Sequence, residues 1–379
     1  MMNLIRQYLP DWLRRFARRV RGLLRSASSA NLASPPATVL SIAAPFVLSE
    51  ASEFDADYAA KLNAERHTFD EQAEVHDLPE IFHYWSNKYL RPMFEQYGFS
   101  NPDQFFVNFL REAAQRTGNA CPSFLSVGSG NCDTEIRVAV ALKNLGMRDF
   151  TIECLELSPP MLARGQTDAQ AQGVAEHLRF TETDFNRWQP KQKYDAVMAN
   201  QSLHHVLKLE HLFDAIKGAL LPRGLFITSD MIGRNGHMRW PESLKVVNEF
   251  WQELPESYRY HRQLRRHEAL YKNWDCSSEG FEGIRAQDIL PELLKRFHFK
   301  LFIAASSVVD IFIDRGFGHH FDVNKTWDLD FVDRLHAYDE AALASGELTP
   351  TRLIAVMSLN AEAAEYSREL KPENCVRVA

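Results

Sequence analysis

The sequence predicts an α/β protein organised on a doubly wound, mostly parallel sheet. Three observations carry that expectation. Between residues 123 and 231, short apolar runs of strand length alternate with helix-length segments, the order that places crossover helices on both faces of a parallel sheet. The first run, Phe124-Leu-Ser-Val127, enters a glycine pair, Gly128 and Gly130, and a helix-compatible segment follows at once; this is the pattern of a strand, a tight turn and a helix N-terminus. The second run, Asp149 to Glu156, ends in an acid, at the sheet edge where ligands of such folds sit.

Composition sets the outer bounds. At 379 residues, with a net charge of -7 and 45% hydrophobic residues, the chain suits one large domain with extensions or two smaller domains. No run of about 18 apolar residues occurs, so no membrane-spanning helix is expected. The cysteines Cys121, Cys132, Cys154, Cys276 and Cys375 lack a paired spacing. That argues against a zinc site or a disulfide scaffold and fits a reducing cytoplasm.

Taken in order, residues 1–25 are rich in arginine, with Arg6, Arg14, Arg15, Arg18, Arg19, Arg21 and Arg25 against Asp11. Ile5, Leu9, Trp12, Leu13, Phe16, Val20 and Leu23 recur at helical spacing, giving a basic amphipathic helix suited to an anionic membrane surface. Docking on its own domain or on a partner is the alternative. Residues 26–49, rich in Ser, Ala and Pro, read as a flexible linker. Residues 50–117 then read as a helical cap, with the aromatics Phe54, Tyr58, Ile81-Phe-His-Tyr-Trp85, Tyr89 and Phe105-Phe-Val-Asn-Phe109. Tyr84, Trp85 and Tyr89 could wall a site behind the glycine loop, but most of these aromatics suit the core face of packed helices better.

The alternation places strands at 123–128, 150–156, 178–183, 194–199 and 224–231, with helices over 133–145, 160–173 and 209–220. Three strand ends carry polar side chains. Gly128, Ser129 and Gly130 form a turn that leaves backbone N–H groups open to a ligand. Glu156, followed by Leu157, can accept both hydrogen bonds of a ribose diol, so the pocket suits a nucleoside. Asp184 can accept from an adenine amino group and Phe185 can pack on the ring, although a turn acid also serves as a local cap. A dinucleotide loop needs a third glycine around its pyrophosphate. Here Asp133 occupies that place, and a nicotinamide cofactor is disfavoured.

At these residues the sequence resembles the class I S-adenosylmethionine-dependent methyltransferases. The matching segments are Leu125-Ser-Val-Gly-Ser-Gly-Asn131, Leu155-Glu-Leu-Ser-Pro-Pro-Met-Leu162, Thr183-Asp-Phe185, Tyr194-Asp-Ala-Val-Met-Ala-Asn-Gln-Ser-Leu-His-His-Val206 and Leu220-Leu-Pro-Arg-Gly-Leu-Phe-Ile-Thr-Ser-Asp230. Cys132 departs from the pattern, since the family often has a third loop glycine there. The resemblance implies a Rossmann-like, doubly wound sheet of seven strands with S-adenosyl-L-methionine as cofactor. Gly128 and Gly130 would pass under its methionine part, Glu156 would bind the ribose hydroxyls, and Asp184 with Phe185 would hold the adenine, with Ser129 and Leu157 also among the cofactor-binding residues. Asn200 and Gln201 would stand beside the sulfonium. His204 and His205 follow the fourth strand near the expected methyl position, and histidine titrates in a useful range; a packing role is the competing assignment.

Beyond Asp230, residues 233–283 form an insertion with Trp240, Phe250, Trp251, Tyr258, Tyr260, Tyr271, Trp274 and the cluster Arg262-Gln-Leu-Arg-Arg-His267. An insertion at a strand's carboxyl end is a natural place for acceptor specificity. Residues 284–297 read as a helix, 298–304 and 351–359 as further strands, and 328–344 as a helix within a second insertion, about 308–348. There Asp310, Asp314, His319, His320 and Asp322 are metal-ligand types without a metal spacing, so a lid loop and no metal are expected. Residues 361–379 show no pattern. The whole suits methyl transfer to oxygen of a small molecule or a saccharide by a cytoplasmic enzyme, with peripheral membrane contact through residues 1–25. A methyltransferase for nucleic acid or protein is disfavoured by the lack of a basic stripe, and Asn200-Gln-Ser-Leu is not the Asn/Asp-Pro-Pro-aromatic run of nucleic-acid amino methylation. A scaffold that binds the cofactor without turnover is the third alternative.

Overall fold

A computed structural model describes residues 53–70, 78–278 and 280–377. The basic helix and linker expected over 1–49 lie outside the described residues. The chain opens with helices α1 (Glu53–Asp70), α2 (Glu80–Trp85), α3 (Arg91–Glu95) and α4 (Pro102–Thr117). Local chemistry sets the limits of α4: the Asn101 side chain accepts from Gln104 N–H at its start, Pro102 opens the first turn, and Gly118 ends it in the left-handed conformation. Those are standard start and stop devices.

The alternation then follows as β1 (Ser123–Val127), α5 (Asp133–Asn144), β2 (Thr151–Glu156), α6 (Pro159–Ala171), β3 (Leu178–Glu182), β4 (Tyr194–Asn200), α7 (Leu209–Ala219) and β5 (Leu220–Met231). After β5 come α8 (Pro241–Glu253), the small hairpin β6 (Tyr260–His261) and β7 (Arg266–His267), α9 (Ala286–Leu294) and β8 (His298–Ala305). The chain finishes with α10 (Val309–Ile313), α11 (Thr326–Ser345), β9 (Arg352–Ser358) and β10 (Glu365–Tyr366).

The main sheet has the order β10-β8-β9-β5-β4-β1-β2-β3. All its pairings are parallel except those of β9, which runs antiparallel to β5 and β8. It has eight strands where seven were expected. The addition is β10, which pairs Glu365 and Tyr366 with Leu301 and Phe302 of β8. A two-residue strand is too short to show an alternation in sequence. Further along, Cys375 is buried in the sheet's core.

β1 lies between β4 and β2, so the strand order reverses beside it. Ligand crevices of doubly wound sheets open at such a switch point. On one face, Leu110 of α4, Ile136 of α5 and Leu162 of α6 pack on Phe124, Ile152, Met198 and Ile227. On the other, Leu212 and Phe213 of α7 and Leu290 of α9 pack on Leu125, Val197, Phe226 and Phe302. A third core joins both insertions to the cap: Trp251 of α8, Phe312 of α10 and Phe331 of α11 gather around Ile81 and Trp85 of α2.

That third core decides the role of the cap aromatics. Tyr84 and Tyr89 donate their hydroxyls to Asp333 on α11 (2.9 and 2.7 Å), and Trp85 Nε1 donates to His336 (3.2 Å). They fasten α11. The polar stretch after residue 309 is dispersed in the same way: Asp310 pairs with Arg239, His320 donates to the Tyr260 carbonyl, and Asp322 accepts from Asn324 N–H.

One acid lies under the sheet's central turn. Glu135 on α5 is buried; Ser126 donates to its Oε1 at 2.6 Å, and its Oε2 has no hydrogen-bond partner among the described residues. Burial pushes its pKa up to about 7, against the lowering effect of the Ser126 hydroxyl. The folded chain therefore holds this proton more tightly than the unfolded chain. The contribution to stability is intact below about pH 4 and is lost as pH rises through about 7. Glu135→Gln should raise stability by about 2 kcal/mol more at pH 8 than at pH 5, measured by urea denaturation. An equal effect at both pH values would show that Glu135 does not titrate there.

Candidate active site

β1 leads directly into the turn. Gly128 and Gly130 have φ of +67° and +56°, and the N–H groups of Gly128 and Ser129 donate to the Leu155 carbonyl of β2 (2.9 and 3.0 Å). A Cβ at Gly128 would lie 2.5 Å from Ser202 Cβ, so packing as well as conformation requires glycine. Cys132, at φ +61°, adopts a left-handed conformation that costs little only for glycine. Its neighbour across the gap is Gly165 of α6, where a Cβ would meet Asn131 O at 2.7 Å and Cys132 Sγ at 3.1 Å. Room for the cysteine comes from a glycine in the facing helix.

Glu156 is fixed by the same turn. Its Oε2 accepts from Gly130 N–H (2.8 Å), and its Oε1 from the N–H groups of Leu157 (2.7 Å) and Ser158 (3.0 Å). Burial raises its pKa although all three N–H groups favour the charged form. With roughly four acceptor sites on a carboxylate, capacity remains for one further donor. Past β3, Asp184 accepts from Asn186 N–H (2.9 Å) and from the hydroxyl of Tyr58 (2.7 Å). Burial and the Asp184 carboxylate raise the phenol pKa above its ordinary value. Phe185 is partly buried against the core beneath α7. At the end of β4, Asn200 donates to Thr134 Oγ1 (3.2 Å), and Gln201, at φ +54°, donates its N–H to the Ser229 carbonyl (2.8 Å).

A histidine cluster adjoins this edge. Asp230 at the end of β5 is fully buried; it accepts from the N–H groups of Ser202 (2.9 Å), Leu203 (2.7 Å) and Met231 (2.8 Å) and binds His204 Nδ1 at 2.6 Å. His205 Nδ1 meets Glu65 of α1 at 2.6 Å, and Glu65 also accepts from Phe281 N–H (3.1 Å). Glu282 then faces three rings, 2.5 Å from His237 Nε2 and 3.5 Å from Nε2 of both His204 and His205. Burial works against a charged His204, but Asp230 and Glu282 outweigh it and push its pKa up to about 10. The histidines hold Glu282 well below the usual carboxylate range although its partial burial opposes this, while burial lowers His237.

The expected residues Gly128, Ser129, Gly130, Glu156, Leu157, Asp184, Phe185, Asn200, His204 and His205 thus sit along one edge of the sheet, at the carboxyl ends of β1 to β4. Tyr58, Glu65, His237 and Glu282 were not foreseen. They come from the cap and the first insertion, where no motif marks them. Asp230 ends the last matching segment in the sequence, and its partnership with His204 became evident only in three dimensions.

A family model for a methyltransferase domain matches residues 125–226. Residues 125–226 carry a methyltransferase domain. Over 76 residues it is 32% identical to malonyl-[acyl-carrier protein] O-methyltransferase 2 from Ilyobacter polytropus, an alignment that covers 20% of this chain and 29% of that protein. Similar solved structures include a geranyl diphosphate C-methyltransferase from Streptomyces coelicolor A3(2) in complex with Mg2+, geranyl diphosphate and S-adenosyl-L-homocysteine (10% identity, TM-score 0.44, covering 79% of this chain and 98% of that one). Another is the O-methyltransferase of a trans-AT PKS multienzyme of Brevibacillus brevis in complex with S-adenosyl-L-homocysteine (11% identity, TM-score 0.42, 80% and 84%).

The loop has room for the expected cofactor, S-adenosylmethionine. A Cβ at Gly130 would meet only Met161 Cε, at 3.8 Å, so the side of the turn away from Ser202 is open for close approach. Gly128→Ala combines a disfavoured φ with a 2.5 Å clash and should destabilise the protein by about 2 kcal/mol or more in chemical denaturation. Adding Ser202→Gly should recover part of that loss. If the double variant is no more stable than Gly128→Ala, Ser202 is not the obstacle.

Proposed function

We propose that this protein transfers the methyl group of S-adenosylmethionine to an oxygen of a small-molecule acceptor. The supporting observation is the His204–Asp230 pair at 2.6 Å, on the turn that packs through Ser202 against Gly128. A neutral amine attacks a methyl carbon through its own lone pair, whereas a hydroxyl must give up a proton. The latter needs a group that accepts the proton or acidifies the hydroxyl; His204, held protonated by Asp230 and Glu282, would do the second, donating to the acceptor oxygen and easing loss of its proton to solvent.

When bound, the cofactor supplies a methyl carbon already activated by positive sulfur. The chain's own residues do the rest. Glu156 holds a ribose hydroxyl, Asp184 and Phe185 the adenine, and Asn200 the wall beside the sulfonium, so that much of the rate comes from alignment. Helix α1 covers the edge through Tyr58 on Asp184 and Glu65 on His205, which excludes water from the reacting groups. A saccharide is one acceptor that the aromatic first insertion would suit. Residues 1–25 add peripheral contact with an anionic membrane; deleting residues 1–45 should abolish sedimentation with anionic vesicles, and undiminished binding would dismiss the contact.

Glu156→Ala should weaken S-adenosylmethionine binding at least about tenfold in calorimetry, because a charge-assisted hydrogen bond is lost. Equal affinity would remove Glu156 from the site. With a labelled methyl donor and fractionated cell extract, His204→Ala should lower label transfer by about a hundredfold while cofactor affinity is retained. Unchanged transfer would exclude His204 from the chemistry.

A further inference from the structure

The cluster at the end of β4 has the composition of a metal centre. His204, His205 and Glu282 each offer a ligand atom, and those atoms lie within 4.8 Å of one another. Four ligands at about 2.0–2.1 Å around a tetrahedral ion stand roughly 3.3 Å apart. The separations of Glu282 Oε1 from His204 Nε2 and of Oε2 from His205 Nε2, both 3.5 Å, are close to that spacing. His237 brings a third imidazole, with Nε2 2.5 Å from Glu282 Oε1. Three imidazole nitrogens thus converge on one carboxylate.

The outer partners complete the pattern. Asp230 engages His204 Nδ1 and Glu65 engages His205 Nδ1, each at 2.6 Å. A carboxylate there takes the Nδ1 proton, orients the ring and makes Nε2 the ligand nitrogen, which is the arrangement found behind metal-bound histidines. Both carboxylates are themselves anchored: Asp230 accepts three backbone N–H groups and Glu65 accepts from Phe281 N–H. His237 is set by a backbone at φ +54°, next to Gly236 at +63°.

We propose that His204, His205 and Glu282 bind a divalent first-row transition metal of the zinc class, with His237 beside Glu282 at the rim of the site. Two imidazoles with one carboxylate favour zinc or iron over magnesium or calcium, which prefer oxygen ligands. Binding displaces any proton on the ligand Nε2 atoms to solvent, and each imidazole and Glu282 then gives a coordinate bond to the ion. The Glu282 side chain is 41% exposed, so a further ligand can enter from that side, as catalytic metal sites require. The role of the ion rests on the methyl-transfer proposal: an acceptor oxygen entering there would be its next ligand and would lose its proton more readily.

The full-length protein, stripped with a chelator and dialysed, tests the site directly. Zn2+ titration should show about one tight equivalent that excess Mg2+ does not displace, and Co2+ should give the intense visible absorption of a four- or five-coordinate ion. Glu65→Gln, which alters only an outer partner, should weaken Zn2+ binding about 10–100-fold. Glu282→Gln with His237→Ala, both at the rim, should weaken it further, with thermal melting confirming the fold. No tight Zn2+ uptake by the wild-type chain, or uptake unchanged in the double variant, would overturn the proposal. S-adenosylmethionine calorimetry on the same samples separates the two questions. Metal uptake without cofactor binding would refute the methyl-transfer proposal alone, and cofactor binding without metal uptake would refute the metal site alone.

Discussion

The buried carboxylate of Asp230 is the interaction on which the site depends. Leaving water is costly for a charge, and the cost is tolerable only when the group's acceptor sites are filled. Here three backbone N–H groups and one imidazole fill them. Two of those N–H groups, on Ser202 and Leu203, belong to the turn after β4, so an acid at the end of β5 dictates the path of the neighbouring strand's exit. Ser202 also donates to the Val127 carbonyl at 2.6 Å and lies under Gly128. The shape of the cofactor turn is therefore transmitted from Asp230 through Ser202 to Gly128, and from Gly130 to Glu156. Without the acid, two N–H groups of a tight turn would be left without acceptors beneath the glycine loop.

The other wall of the site is of a different kind. Helix α1 comes from before the sheet in sequence, and its polar links to the edge are Tyr58 to Asp184, Glu65 to His205 and Phe281, and Arg66 to Glu182. Side-chain hydrogen bonds of this sort contribute modestly to net stability, whereas the sheet and its facing helices are held by extensive apolar burial. A rigid floor and a polar cover suit a site that must admit a nucleoside and then exclude water.

Much of the fold was legible because its signals are local. Strand alternation, the glycine pair, Ser158-Pro-Pro before α6 and the strand-end acids each act within a few residues, and the boundaries expected for β1 to β5 differ by four residues or fewer from those observed. The third core was not legible, because Ile81, Trp251, Phe312 and Phe331 are separated by 170, 61 and 19 residues in turn and no repeat links them. The same distance hid the cluster: His204 and His205 are readable as a pair, but Glu65 and Glu282 become partners only once α1 and the first insertion are folded against β4. The missing third loop glycine is a related case. Its compensation, Gly165, lies in another helix, and a sequence motif does not register such an exchange.

The first insertion is clamped to the sheet where it matters. His237 lies near its start and Glu282 near its end, and Gly236 N–H donates to the Gly283 carbonyl at 2.8 Å, which draws the two ends together. Both glycines are conformationally required, at φ +63° and +68°, and a Cβ at Gly283 would meet Gly236 N at 3.1 Å. Ile284 N–H then donates to the His204 carbonyl (3.1 Å), fixing the closed ends to the turn after β4. Between those ends, α8 packs into the third core and not into the cofactor edge. The insertion is therefore fixed twice, at its ends by the turn after β4 and in its interior by Trp251 and its neighbours in the third core.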